Sequence, residues 1–170
     1  VITCLPSPKA CSEVMESEDG VIAGLKEGKI WLEMSTTDEA EIRRIGTIVE
    51  STGAFPIDCP VSGGCHRADT GNISIFAGCK REAFDKALPI LKTMGRRVLH
   101  TGDLGTASTL KVMTNYLATV NLVSISEALT TMKVLGMDMN VTYEAIKASS
   151  GNSFVHETES QVILNGSRDI

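Results

Sequence analysis

Apolar and polar positions alternate in short blocks along roughly the first hundred residues. VITCL is an apolar run of strand length that stops at Pro6, and a helical stretch follows near 10–17. KIWLEM reads as a second strand. In STTDEAEIRRIGTIVEST, Ile42, Ile45 and Val49 share one helical face, and Asp38 is placed to cap the start. AFPIDCPV is a third strand, for which Pro56 and Pro60 predict an edge or strand-end position. NISIFAG alternates as a fourth, REAFDKALPILKTM is a helix expected to break or kink at Pro89, and RRVLHTG is a fifth strand. Strands alternating with helices predict an α/β sheet with parallel elements.

The pattern changes at Gly105. GTASTLKVMTNYLATVNLVSISEALTTMKVLGM has no proline and no glycine between its first residue and Gly136, and its apolar residues fall on almost every side. A helix of about thirty residues would span roughly 45 Å. Apolar on all sides, it is expected to be buried on all sides. Lys111, Asn115, Asn121 and Glu127 interrupt the run and exclude a membrane span. Shorter helices are expected over 141–148 and 153–164. The fold class is therefore a partial Rossmann-like α/β domain over 1–101 followed by an all-helical domain over 102–170.

Composition narrows the function. A net charge of −5 without a basic stripe, and only 4% aromatics, argue against nucleic-acid binding. Five cysteines with no CxxC spacing fit free thiols in a reducing cytoplasm better than a disulfide framework. His66, His100 and His156 are far apart, with no metal-ligand spacing.

Three polar groups remain at places that matter. Lys111 enters an apolar helix one to two turns from its start; it is either a snorkelling side chain or part of a polar site, and Asn115, four residues on, shares its face. In DCPVSGG, a strand runs into Ser62, Gly63 and Gly64, which form either a tight turn or a backbone cradle for an anion. Ser35 and Thr36 follow the second strand and could equally cap the next helix. Leu5-Pro6, Ser35-Thr36 and Ser62–Gly64 all stand at carboxyl ends of strands, where open α/β sheets bind ligands.

DCPVSGG, followed by ADTGNISIFAG, LPILKTMGRRVLHTGDLGTASTLKVMTNYL and SISEAL…GMD…SSGNSF, resembles the β-hydroxyacid dehydrogenase family. The resemblance covers nearly the whole chain. It implies substrate binding by Ser62, Gly63, Gly64 and Asn115, catalysis by Lys111, and contact between Leu5, Pro6, Ser35, Thr36 and an NAD or NADP cofactor. It implies a small carboxylate substrate, a 3-hydroxy acid. The family's G-x-G-x-x-G loop is not in this sequence, and Arg168-Asp169 falls too early for its downstream Lys-Asp pair. The chain is thus expected to be the middle of a longer dehydrogenase, with a homodimer or larger homo-oligomer built on the helical part. The alternative is a non-catalytic module that mainly dimerises. Cys59 and Cys65 flank the Ser62 loop and are expected within reach of thiol reagents.

Overall fold

The computed structural model describes Val1–Ser167. Arg168 and Asp169, weighed above against a Lys-Asp pair, lie outside the described residues. The chain divides into two units, Val1–Val112 and the residues from Met113 on.

The first unit is a mixed six-stranded sheet. Its elements in order are β1 (Ile2–Thr3), α1 (Pro8–Glu16), α2 (Val21–Gly24), β2 (Ile30–Glu33), α3 (Glu39–Ser51), β3 (Phe55–Asp58), β4 (Val61–Ser62), α4 (Cys65–Asp69), β5 (Ile73–Gly78), α5 (Arg81–Met94) and β6 (Gly95–Gly102). β1, β2 and β3 run parallel; β5 is antiparallel to β3 and β4, and parallel to β6. The reversal follows from the short path β3–β4–α4–β5, which turns back without a crossover helix.

The alternation along β2 explains the two cores. Trp31 points into a cluster with Cys11 and Met15 of α1 and Ile42, Ile45 and Val49 of α3. Leu32 points the other way, joining Ile57, Ile73, Ile75 and Ala77 with Ala83, Phe84, Ala87 and Leu91 of α5. Burial on both faces is what a parallel sheet covered by helices requires. Asp38 caps α3, accepting from the Glu41 amide at 3.0 Å.

Two proline expectations need correction. Pro56 lies inside the sheet, opposite Trp31 in the β2 pairing. The amides of Phe55 and Cys59 donate toward β2, to Lys29 and Glu33, so the Pro56 nitrogen faces β5, which pairs with β3 only at Asp58. The missing donor therefore leaves no ladder bond unmade. Pro89 does not break α5, which runs over Arg81–Met94 with the proline inside it.

α6 (Thr106–Val134) runs from the first unit into the second. The second unit also holds α7 (Met139–Lys147), a π-helical turn (His156–Ser160) and α8 (Gln161–Leu164). His156 is wholly buried, with Nδ1 at 3.0 Å from Ser160 Oγ and Nε2 at 3.0 Å from the Tyr143 carbonyl. The expectation that α6 is covered all round fails for the chain alone: Met113, Tyr116, Leu117, Val120 and Val123 are exposed. The helical period distributes apolar residues over every face, and one chain supplies partners for only part of that surface. Among the described residues no helix is long and apolar enough to cross a membrane.

The seat of α6 on the sheet is close. A Cβ at Gly78 would lie 2.9 Å from the Asp103 carbonyl oxygen and 3.0 Å from the Ala107 amide, both backbone atoms. Gly78→Ala is expected to lower the unfolding free energy by about 1–3 kcal/mol, the usual cost of overpacking. Denaturant unfolding checks this, and an unchanged midpoint would show that the approach is not tight.

Candidate functional site

The carboxyl ends of β1 and β2 are joined by a buried acid. Glu33, wholly buried, accepts from the Thr3 hydroxyl at 2.5 Å, the Cys11 thiol at 3.1 Å and the Ser35 amide at 2.8 Å. Ser35 Oγ in turn accepts from the Leu5 amide at 2.7 Å. Leu5 and Ser35 are thus brought together where β1 and β2 end. Pro6 and Thr36 are exposed beside them. Thr37 is buried, and its hydroxyl lacks a hydrogen-bond partner. Burial and the adjoining Glu33 push the Cys11 thiol well above its usual range, so it serves as a donor and not as a nucleophile.

Four residues after Asp58 the chain reaches Ser62. Gly63 and Gly64 have φ of +137° and +78°, conformations that favour glycine. A Cβ at Gly63 would also collide with the Arg67 side chain at 2.8 Å. Both glycines are therefore required by the turn itself, whatever their amides bind. Ser62 is half-buried and Gly64 exposed.

Lys111 is 8% exposed, and burial lowers its pKa from the ordinary 10.5. Its helix is anchored one turn earlier. Asp58, wholly buried at the end of β3, accepts from the Ser108 amide and from the Ser108 hydroxyl, each at 2.7 Å. Burial pushes the Asp58 carboxyl up, against the downward pull of the Ser108 hydrogen bonds. With two bonds to one residue, the first turn of α6 is fixed in both position and rotation relative to β3. Asn115 stands one turn beyond Lys111 on α6; it is exposed, and its carbonyl accepts from Thr119 at 3.0 Å.

Glu33, Asp58 and Ser108 were not singled out in the sequence. The available signal was an acid closing an otherwise apolar strand, at both Glu33 and Asp58. The cysteine expectation is half corrected. Cys65 is exposed, but Cys59 is wholly buried in the α5-side core, and burial pushes its thiol up, so a reagent meets neither surface nor thiolate there. Among the described residues no group of three or more His, Cys, Asp or Glu side chains is arranged to hold a metal ion.

Residues 1–102 match the family profile described as the NAD binding domain of 6-phosphogluconate dehydrogenase. Residues 105–170 match that of the NAD-binding domain of NADP-dependent 3-hydroxyisobutyrate dehydrogenase. The chain is 29% identical over 96% of its length to 2-(hydroxymethyl)glutarate dehydrogenase of Eubacterium barkeri, covering 54% of that protein. It is 31% identical over 92% of its length to NAD-dependent L-serine dehydrogenase of Pseudomonas aeruginosa, covering 53% of it. The crystal structure of 3-hydroxyisobutyrate dehydrogenase from Salmonella typhimurium superposes with a TM-score of 0.86 at 26% identity, over 97% of this chain and 57% of that one. The chain thus spans about half the length of the relatives it matches. Two consecutive profiles of NAD(P)-dependent enzymes account for nearly all of its residues, and the chain belongs to the β-hydroxyacid dehydrogenase family.

Proposed function

We propose that this chain supplies the substrate cradle and the acid–base lysine of an NAD(P)-dependent oxidoreductase acting on a small 3-hydroxy acid. The observation that carries the reading is Lys111: a buried amine with a lowered pKa, on a helix clamped to the strand that leads into Ser62–Gly64. The relatives named above, dehydrogenases of a hydroxymethyl acid and of serine, support the substrate class. A share of about half their length leaves room for a further cofactor-binding segment in the working enzyme.

In this reading the Ser62 hydroxyl and the Gly63 and Gly64 amides hold the substrate carboxylate, and Asn115 orients the hydroxyl-bearing end. Lys111 takes the hydroxyl proton at Nζ during oxidation and returns it during reduction. The neutral amine is needed for the first direction, and burial favours it. Leu5, Pro6, Ser35 and Thr36 would hold the NAD or NADP. The Leu5–Ser35 hydrogen bond and the unsatisfied Thr37 hydroxyl fit such an edge. The cofactor, when bound, accepts or donates the hydride.

In the working enzyme, Lys111→Ala should lower kcat by about a hundredfold or more while leaving cofactor affinity nearly unchanged. Lys111→Arg keeps the charge but cannot release its proton near neutral pH, so it should be almost as inactive. Ser62→Ala should mainly raise KM, by about tenfold. Steady-state kinetics and cofactor titration check this set; an active Lys111→Arg enzyme would remove Lys111 from the proton-transfer role.

We further propose that the exposed apolar residues of α6 from Met113 to Val123 are covered by a second copy of the chain. Sedimentation velocity should show a dimer or larger species at micromolar concentration. A single monomeric boundary at high micromolar concentration would contradict this.

A further inference from the structure

The pairing of β5 with β6 contains an irregularity at two adjacent arginines. Ile73 faces Gly95, but the next residue on β5, Ser74, faces Arg97. One step on β5 is answered by two on β6, so Arg96 is the extra residue of a bulge. In a regular strand Arg96 and Arg97 would point to opposite faces. Here both line one cleft of about 440 Å³, together with Arg67, Thr70, Asn72 and Ser74. Gly95 permits the distortion, since a Cβ there would lie 2.8 Å from the Ile73 carbonyl oxygen.

The cleft is built from both sides. Arg67 reaches it from α4, its stem packed against Gly63. The Thr70 hydroxyl donates to the His66 carbonyl at 3.0 Å and accepts from Asn72 Nδ2 at 3.0 Å, which fixes the loop that forms one wall. Ser74 contributes a half-buried hydroxyl on the sheet face shared with its cross-strand partner Ser62.

Arg96 and Arg97 differ from the arginines outside this cleft. Arg43, Arg44 and Arg81 are each matched by carboxylates, from Glu39, from Glu16 and Glu41, and from Asp85. Arg96 and Arg97 have no ion pair among the described residues, and no Asp or Glu lines the cleft among them. Arg96 and Arg97 thus bring two such guanidinium groups to one cleft, beside Arg67, on a chain of net charge −5. Like charges brought together repel, and a multiply charged anion offsets that cost. Planar guanidinium forks match the oxygens of a tetrahedral oxyanion two at a time.

We propose that the cleft walled by Arg67, Arg96 and Arg97 is a binding site for a phosphate-type dianion. This goes beyond the dehydrogenase reading and does not depend on it. The dianion is either a free ion or the acidic end of a larger molecule, and the two sources share the same recognition chemistry.

Titration calorimetry with inorganic phosphate on the unaltered chain, near neutral pH and at low salt, tests the proposal. Saturable one-site binding is expected with a Kd of about 1 mM or tighter. Acetate, a monoanion, should bind at least about tenfold more weakly. Arg96→Gln and Arg97→Gln should each weaken phosphate by about tenfold, whereas Arg81→Gln, at a paired arginine elsewhere, should change nothing. Competition by a phosphate monoester assigns the source: displacement of phosphate with tighter binding marks a larger molecule, and equal or weaker binding marks the free ion. Absence of saturation, acetate binding as tight as phosphate, or equal loss in Arg81→Gln would overturn the site. Arg96 and Arg97 are exposed and outside both cores, and circular dichroism verifies that the variants fold. If one does not, the comparison of phosphate with acetate on the unaltered chain still decides.

Discussion

A single buried carboxyl group, that of Asp58, ties the sheet to the helix that carries Lys111. It closes β3, and both of its oxygens are taken by Ser108 in the first turn of α6. The arrangement is costly to leave unmade, because a buried acid without partners loses its hydration with nothing in return. It is also directional. Ser108 lies one turn before Lys111, and Asp58 lies four residues before Ser62. Fixing Asp58 to Ser108 therefore sets the base of the lysine's helix and the base of the Ser62–Gly64 loop with one interaction. Gly78 allows the approach by keeping Cβ out of the space between β5 and the start of α6.

Glu33 plays the matching part where β1 and β2 end. It gathers Thr3, Cys11 and the Ser35 amide, and Ser35 passes the constraint to the Leu5 amide. Two acids, each at the end of a strand buried on both sides, thus hold the loops that follow β1, β2 and β3. The exposed ion pairs on α1 and α3, such as Arg44 with Glu16 and Glu41, contribute far less, since solvent screens them.

The layout of the first unit was legible because periodicity reports burial. Ile42, Ile45 and Val49 share a face and are buried, and the Asp38 cap is where the spacing puts it. Leu5, Ser35 and Ser62 were placed at strand ends by the same logic. What was not legible depended on partners distant in sequence. The spacing from Asp58 to Ser108 is 50 residues, and nothing local marks either as the other's partner. Pro56 was misjudged because whether a missing donor matters depends on which neighbouring strand its nitrogen faces. The coverage of α6 was misjudged because an apolar surface states a need for burial without saying which molecule meets it. The bulge at Arg96 leaves no sequence trace beyond a pair of adjacent arginines.

The account turns on Lys111 being held, through the seat of α6, where the charged amine is disfavoured. Carbon-13 NMR titration of the Lys111 Cε in the folded chain measures this directly. The account predicts a midpoint below the ordinary 10.5, and a move back toward 10.5 when Ser108→Ala removes the hydroxyl bond to Asp58, one of the two that seat the helix. The sign carries into stability. Below the folded pKa the cost of burying the charged amine is present in full; between the folded and unfolded pKa values the unfolded chain binds more protons at this group, so stability rises with pH through that window as the cost is relieved. A midpoint at or above 10.5, or one that Ser108→Ala leaves unmoved, would contradict the account.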